Sequence, residues 1–258
     1  AGTKKLSESE IPADKKAVAD KLREELIEKA AEASEDLMNN FFENATLSEE
    51  ELKEGIKLGI TSKSLNPVFA CSAVKGAGMN SILDFISAYF PSPADMPAVE
   101  AELSGKGKVK VACDAKGEPA LFIYKSLSEQ HIGELSLYRV YSGTIEPGMD
   151  LINVNGNKVE RIGQVFSLNG KIRKELAKVV AGDLAAVVKL KDTHTNDTLA
   201  SKNYQVILPE IVFPEPVMSA AVAPKTKGDE DKISSGLHTI HEENPSLVVN
   251  YDPELAQT

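Results

Sequence analysis

Apolar positions in the first part of the chain fall at helical spacing. Across residues 14–44 they recur as Val18, Leu22, Leu26 and Ala30, then Ala33, Leu37 and Phe41, with acids and lysines between. This is the stripe of amphipathic helices with one face turned inward. Ser34, followed by Glu35 and Asp36, marks a break between two such helices. Ser48 and Glu51 form a capping-box pair ahead of a further helix, with Gly59 as its expected stop. The run PVFACS at 67–72 then reads as a short strand and 75–78 as a tight glycine turn. Ile82, Phe85, Ile86 and Tyr89 follow as one side of a helix, which completes a strand, loop and helix of α/β type. Prolines 91, 93 and 97 cannot continue a helix, and a domain boundary is read there.

Beyond that boundary the period changes from 3.6 to 2. Leu184, Ala186, Val188 and Leu190 alternate with Ala185, Val187 and Lys189. Asn155-Gly156 reads as a two-residue hairpin turn, and turn residues recur at 142–143, 147–148, 169–170, 182–183 and 196–197. Many short strands at this spacing predict a closed or nearly closed β-barrel of about 100 residues. A second proline-bearing linker, at 209–216, leads to a β run at 217–223, a helix carrying Ile233, Leu237 and Ile240, and a β run at 247–251. That order is the start of a split β-α-β unit. Two strands and one helix would leave a sheet face and both edges uncovered, so the sequence is expected to be a piece of a longer protein.

Composition narrows the function classes. A net charge of −10 over 258 residues argues against a general nucleic-acid-coating protein, but the charge is uneven. Residues 104–210 hold 15 basic and 12 acidic side chains, whereas 1–66 hold 10 and 15, 67–103 hold 1 and 4, and 211–258 hold 3 and 8. No apolar run approaches the roughly 20 residues of a membrane span. Cys71 and Cys113 form no CxxC, so both thiols are expected to be free, with Cys71 a small buried residue of its strand.

The first candidate for chemistry is Ser72-Ala73-Val74-Lys75, in the loop that leaves the 67–72 strand, where α/β sheets bind ligands and small residues let backbone N–H groups approach a planar base. No GxxxxGK[ST] phosphate loop is present. Asp114-Ala-Lys-Gly117 fits DxxG and Thr226-Lys-Gly-Asp229 fits [NT]KxD, but both follow the loop and lie beyond the proline boundary, and they read as turn and helix-cap sequence. His238 and His241 stand i, i+3 with Glu242 beside them and no evident third ligand, and His131 and His194 fall in barrel turns, so no metal site is expected. Lys158, Arg161, Lys171, Arg173, Lys174 and Lys178 cluster around the central hairpins, where each could neutralise a phosphate.

A series of segments in order resembles bacterial translation elongation factor G. They are Ile11-Pro12, Leu47-Ser-Glu-Glu-Glu51, Cys71-Ser-Ala-Val-Lys75, Pro91-Ser-Pro-Ala-Asp-Met-Pro-Ala98, Arg139-Val-Tyr-Ser-Gly143, Glu160-Arg-Ile-Gly163, Ala181-Gly-Asp-Leu-Ala-Ala186, Leu190-Lys-Asp-Thr193, Asp197-Thr-Leu199 and Pro224-Lys-Thr-Lys227. The resemblance implies a multidomain α/β plus all-β fold. Residues 1–66 would be the helical insert of a P-loop GTPase domain and 67–98 its last strand-helix unit. A translation-factor-type β-barrel would occupy 99–210, and 211–258 would be a linker and the truncated start of a split β-α-β (ferredoxin-like) third domain. Ser72, Ala73 and Lys75 would form the guanine-binding loop, its backbone amide reading the guanine carbonyl and rejecting adenine.

The resemblance further implies a cytoplasmic, monomeric translational GTPase that uses GTP/GDP with Mg²⁺ in the full-length protein. It would act on the ribosome to promote translocation of tRNA and mRNA, with no membrane or DNA partner. The barrel would contact ribosomal RNA, with Lys158, Arg161, Arg173 and Lys174 as candidate contacts. This chain alone would carry no catalytic residue, hold no cofactor and hydrolyse no GTP. A ribosome-binding paralogue without GTPase activity and a tetracycline-protection-type ribosomal factor are the alternatives. Lys189 and Asn196 stand where the family commonly has glycine, Gln164 where it has arginine and Gly76 where it has asparagine, which suggests a divergent paralogue.

Overall fold

The computed structural model describes residues 10–129, 133–170, 172–224, 226 and 228–250. His131, Lys171, Lys225, Lys227 and the end of the 247–251 run lie outside them. The chain divides into two compact units, Ala1–Met96 and Pro97–Thr258.

The first unit is helical. Helix α1 (Ala13–Ala31) is followed by α2 (Glu35–Asn44), whose N-cap Ser34 hydroxyl accepts from the Leu37 N–H at 3.3 Å, so the break at Ser34 is where the sequence puts it. The Ser48–Glu51 capping box opens α3 (Glu49–Ser62), and its bonds hold the Glu51 carboxyl below the usual carboxylate range, the Ser48 backbone N–H first and its hydroxyl next. Gly59 is not the stop: α3 runs on to a left-handed C-cap at Lys63. Gly59 instead makes room for the returning chain, because a Cβ there would lie 3.0 Å from Leu65 Cβ while the Leu65 N–H donates to the Gly59 carbonyl.

The core of this unit is Ile27, Ala30, Ala31, Leu37, Leu47, Leu52 and Ile56, flanked by Phe85 and Tyr89 of α4 (Met79–Tyr89). The predicted α1 stripe is therefore buried only at its C-terminal end. Val18 and Leu22 stay exposed, because α3 and α2 pack against the last turns of α1 alone, around Ile27, Ala30 and Ala31.

The strand expected at 67–72 does not form. Among the described residues its only β-type pairing is the bridge between Ser72 and Ala77, and Cys71 is exposed rather than buried. An apolar run becomes a strand only when a neighbour supplies ladder hydrogen bonds, and no described residue supplies them for 67–71.

The second unit is built on antiparallel strands. Strands β1 (Val99–Leu103) and β2 (Gly107–Val111) form a small sheet with β13 (Val206–Ile207). An eight-stranded sheet contains β3 (Ala120–Glu129), β4 (Gly133–Ser142), β6 (Asp150–Asn153), β7 (Lys158–Arg161), β8 (Val165–Asn169), β9 (Ile172–Leu176), β11 (Leu184–Val188) and β12 (Thr198–Ala200). Its order is β7-β6-β12-β3-β4-β11-β8-β9, and β5 (Thr144–Ile145) pairs separately with β10 (Val179–Val180). Leu151 of β6 and Val165 of β8, near opposite ends of that order, share one core with Leu121, Ile123, Tyr138, Val140, Val187 and Leu199. The sheet therefore curls into the expected barrel.

Strand β3 is buried on both faces. Leu121 and Ile123 point into the barrel core, while Ala120 and Phe122 pack under the small sheet with Ala101, Val111 and Val206.

Two turn details differ from expectation. The register Asn153↔Lys158 leaves four residues between β6 and β7, not two, with the left-handed position at Asn157 (φ 52°). Side chains close this loop: Asn153 Oδ1 accepts from the Gly156 N–H at 3.0 Å, and Asn155 Oδ1 accepts from the Thr198 N–H at 3.0 Å. Lys189 and Asn196 both adopt positive φ, 65° and 79°, which explains why glycine suits these positions. A lysine in that region is strained, so Lys189→Gly is expected to raise the barrel's stability by roughly 0.5–1 kcal/mol after the extra unfolded-chain entropy of glycine is counted. An unchanged or lower urea midpoint would overturn this. Gly76 likewise takes φ 64°, a conformation that asparagine tolerates, so that departure leaves the turn intact.

After the barrel, Asn196 clasps the linker: its Oδ1 accepts from the Ile211 N–H at 2.9 Å and its Nδ2 donates to the Ile211 carbonyl at 3.0 Å. Helix α5 (Glu230–Glu243) follows and packs against β3. The flanking β runs at 217–223 and 247–250 make no strand ladder among the described residues. They lie either side of a shared apolar cleft with Leu237, lined by Val217, Met218, Leu247 and Val249, so side-chain contact rather than hydrogen bonding relates them.

Candidate functional site

The Ser72–Lys75 loop is a compact exposed turn. Ser72 and Ala77 exchange backbone hydrogen bonds at 3.0 and 3.1 Å, the Gly76 N–H donates to the Ala73 carbonyl at 3.3 Å, and the Ser72 hydroxyl accepts from the Lys75 N–H at 3.4 Å. Gly78, at φ 78°, then caps the start of α4. The N–H groups of Ala73 and Val74 have no partner among the described residues, and Ala73, Val74 and Lys75 are exposed. A braced turn with two unspent amides fits a planar ligand that presents a carbonyl acceptor. The Asp114–Gly117 segment is a local turn instead: Asp114 Oδ1 accepts from the Lys116 N–H at 2.9 Å, and its carbonyl accepts from the N–H groups of Gly117 and Gly143.

A polar network that sequence reasoning did not single out organises one end of the barrel. Glu160 is buried, 4% exposed, and its carboxylate accepts from the N–H groups of Lys191 and Asp192 and from the Thr193 hydroxyl at 2.7–3.2 Å. Buried Asn153 donates to the Asp192 carbonyl and to Asp197 Oδ2, both at 2.8 Å. In the sequence Glu160-Arg-Ile-Gly163 and Leu190-Lys-Asp-Thr193 stand about 30 residues apart, and only the fold brings the acid opposite the amides of the Lys-Asp-Thr turn.

Residues 118–202 match the family described as Elongation factor G domain 2, and residues 213–258 match Elongation Factor G, domain III. The chain is elongation-factor-G-like. Its fold is shared with a protein of known crystal structure from Thermus thermophilus, at a TM-score of 0.79 and 22% sequence identity. The match covers 97% of this chain and 36% of that one, so the elongation-factor-G-like chain spans about a third of the length of that protein.

On the elongation-factor-G-like barrel the four candidate RNA contacts fall on two strands. Lys158 and Arg161 lie on β7 and Arg173 and Lys174 on β9, the two edge strands of the eight-stranded order. Lys158 pairs with Asp192, and Arg161 with Asp150 at 3.5 Å. Both pairs are solvent-exposed and worth about 0–1 kcal/mol each, so a phosphate can displace the carboxylates. Among the described residues no group of three or more His, Cys, Asp or Glu side chains is placed to hold a metal ion, and no helix is long and apolar enough to cross a membrane. His241 Nδ1 is engaged by the Leu247 carbonyl at 2.6 Å.

Proposed function

We propose that this chain is the part of a translational GTPase that links the guanine-binding end of the GTPase domain to the ribosome-facing barrel, in a protein that promotes translocation of tRNA and mRNA. The observation that supports this most is the succession of two elongation factor G domains, at 118–202 and 213–258. In this reading Ala73 offers its backbone N–H to the guanine carbonyl, the Ser72 hydroxyl holds the turn, and Lys75 packs beside the base. Bound GTP would supply the free energy that orders and releases the factor on the ribosome. The phosphates and Mg²⁺ need a phosphate loop and a metal-binding Ser/Thr and Asp that this sequence does not contain, so its residues recognise only the base.

The test uses the intact protein that carries this chain, with purified ribosomes. Ribosome-stimulated GTP turnover together with movement of mRNA by one codon is the expected result. Ribosome binding without turnover would favour the non-GTPase alternative, and absence of both would overturn the proposal. Reversing Lys158, Arg161, Arg173 and Lys174 to Glu is expected to weaken ribosome binding, and the slope of log affinity against log salt falls by roughly one for each phosphate that is no longer neutralised. Unchanged affinity and slope at low salt would assign these residues to plain barrel surface.

A further inference from the structure

Helix α5 meets the barrel through charge rather than through apolar side chains alone. Glu242 Oε2 lies 2.7 Å from His194 Nδ1, and Glu243 Oε1 accepts from the Ser128 N–H at 2.7 Å. Between these two contacts is a cleft of about 100 Å³ lined by Ser126, Ser128, Glu134, His238, Glu242 and Glu243. Two of its buried polar atoms, Ser126 Oγ and Glu134 Oε1, have no hydrogen-bond partner among the described residues. The interface thus holds an attractive pair, His194 with Glu242, beside a carboxylate on β4. Glu134 and Glu242 repel each other across it, and a positive His194 is the charge that offsets them.

We propose that His194, Glu242 and Glu134 form a proton-operated latch that holds α5 on the barrel when His194 is charged and releases it when His194 loses its proton. The Asn196 clasp on Ile211 keeps the linker attached in both states, so the helix swings from a fixed point. Every charged group that faces the latch bears on its sign. Around His194 these are Glu242 of α5, Asp197 of its own loop and Glu134 of β4, and around Glu134 they are Glu242, His194, His238 and Glu160.

Burial pulls the His194 imidazole down, but the hydrogen bond and charge of Glu242, with Asp197 and Glu134, outweigh it and hold it above its ordinary value. Burial, and then the Glu242 charge, push Glu134 above the usual carboxylate range. Both groups take up protons more readily when α5 is docked. Docking is therefore strongest below their free values and is lost as pH rises through the docked ones.

The experiment needs neither nucleotide nor ribosome, so its outcome is separate from that of the proposed function. A fluorophore pair on Lys178→Cys and Asp231→Cys, in the full chain with Cys71→Ser and Cys113→Ser, reports the distance from barrel to α5. Between about pH 6 and about pH 8, where histidine changes charge, the ratio of docked to released molecules is expected to fall. Far-UV circular dichroism stays constant over that range. Glu134→Gln is expected to keep α5 docked at the higher pH, and His194→Ala to show the released ratio already at the lower one. An unchanging ratio in the parent chain, a Glu134→Gln response identical to the parent, or loss of circular dichroism along with the distance change would each overturn the latch.

Discussion

Replacing Glu160 with alanine is expected to cost the barrel about 3 kcal/mol. The side chain is 4% exposed and gathers the N–H groups of Lys191 and Asp192 and the Thr193 hydroxyl around one carboxylate. Hydrogen bonds to a charged acceptor are worth about 1.5–3 kcal/mol each, and donors left buried without a partner add their own desolvation cost. The 190–193 turn also carries the Asp192 carbonyl that Asn153 binds, so its loss loosens the neighbouring loop through 197. Glu160→Gln keeps the shape but turns an N–H₂ toward N–H donors, and it is expected to lose about 2 kcal/mol. Urea unfolding followed by circular dichroism measures both. A loss below about 1 kcal/mol for alanine would show that water replaces the carboxylate at no great cost.

Gly55→Val is expected to have an effect of similar size on the helical unit. A Cβ at Gly55 would lie 2.5 Å from the Ala30 carbonyl oxygen and 2.9 Å from Ala30 Cβ, and both neighbours belong to α1. Neither can swing aside, so α1 and α3 must separate and the Ile27, Leu52 and Ile56 contacts open with them. Overpacking of this kind costs about 1–3 kcal/mol, and valine recovers little helix propensity in return. The expected net loss is about 3 kcal/mol, a large fraction of the stability of a unit with so small a core. Gly59→Ala is the control. Its nearest obstacle is Leu65 Cβ at 3.0 Å, a contact that a shift of a few tenths of an ångström relieves, so the steric cost and the propensity gain of roughly 1 kcal/mol nearly cancel. Equal losses at the two glycines would show that helix spacing is not what Gly55 sets.

The features legible in the sequence were those fixed by short-range chemistry. The Ser34 and Ser48 caps, the break between α1 and α2, the helix carrying Phe85 and the helix carrying Leu237 all stand where spacing and capping put them. The change of period from residue 104 on announced the barrel, because alternation persists only where one face is buried. Features that depend on distant partners were not legible. The 67–72 run has strand composition, yet a ladder requires a neighbour that composition does not supply. Asn155-Gly156 has hairpin composition, yet Asn155 is drawn to Thr198, 43 residues on, and the turn opens to four residues. In the loop at Ser72 the bracing hydroxyl and the free Ala73 amide are local and follow from the motif, whereas the exposure of Cys71 does not. The His194–Glu242 contact joins residues 48 positions apart, and no spacing rule connects them.

Strand β3 has a consequence for the origin of the barrel's strength. It is sealed between two separate apolar clusters while bonded on one edge to β12 and on the other to β4. The small β13-β1-β2 sheet is therefore not an accessory that could melt on its own, since removing it would wet Ala120 and Phe122 and loosen the backbone that carries Leu121 and Ile123. Both clusters stand or fall together as one cooperative block. Helix α5 rests on the far end of this same strand, at Ser128, beyond the stretch that the two clusters seal.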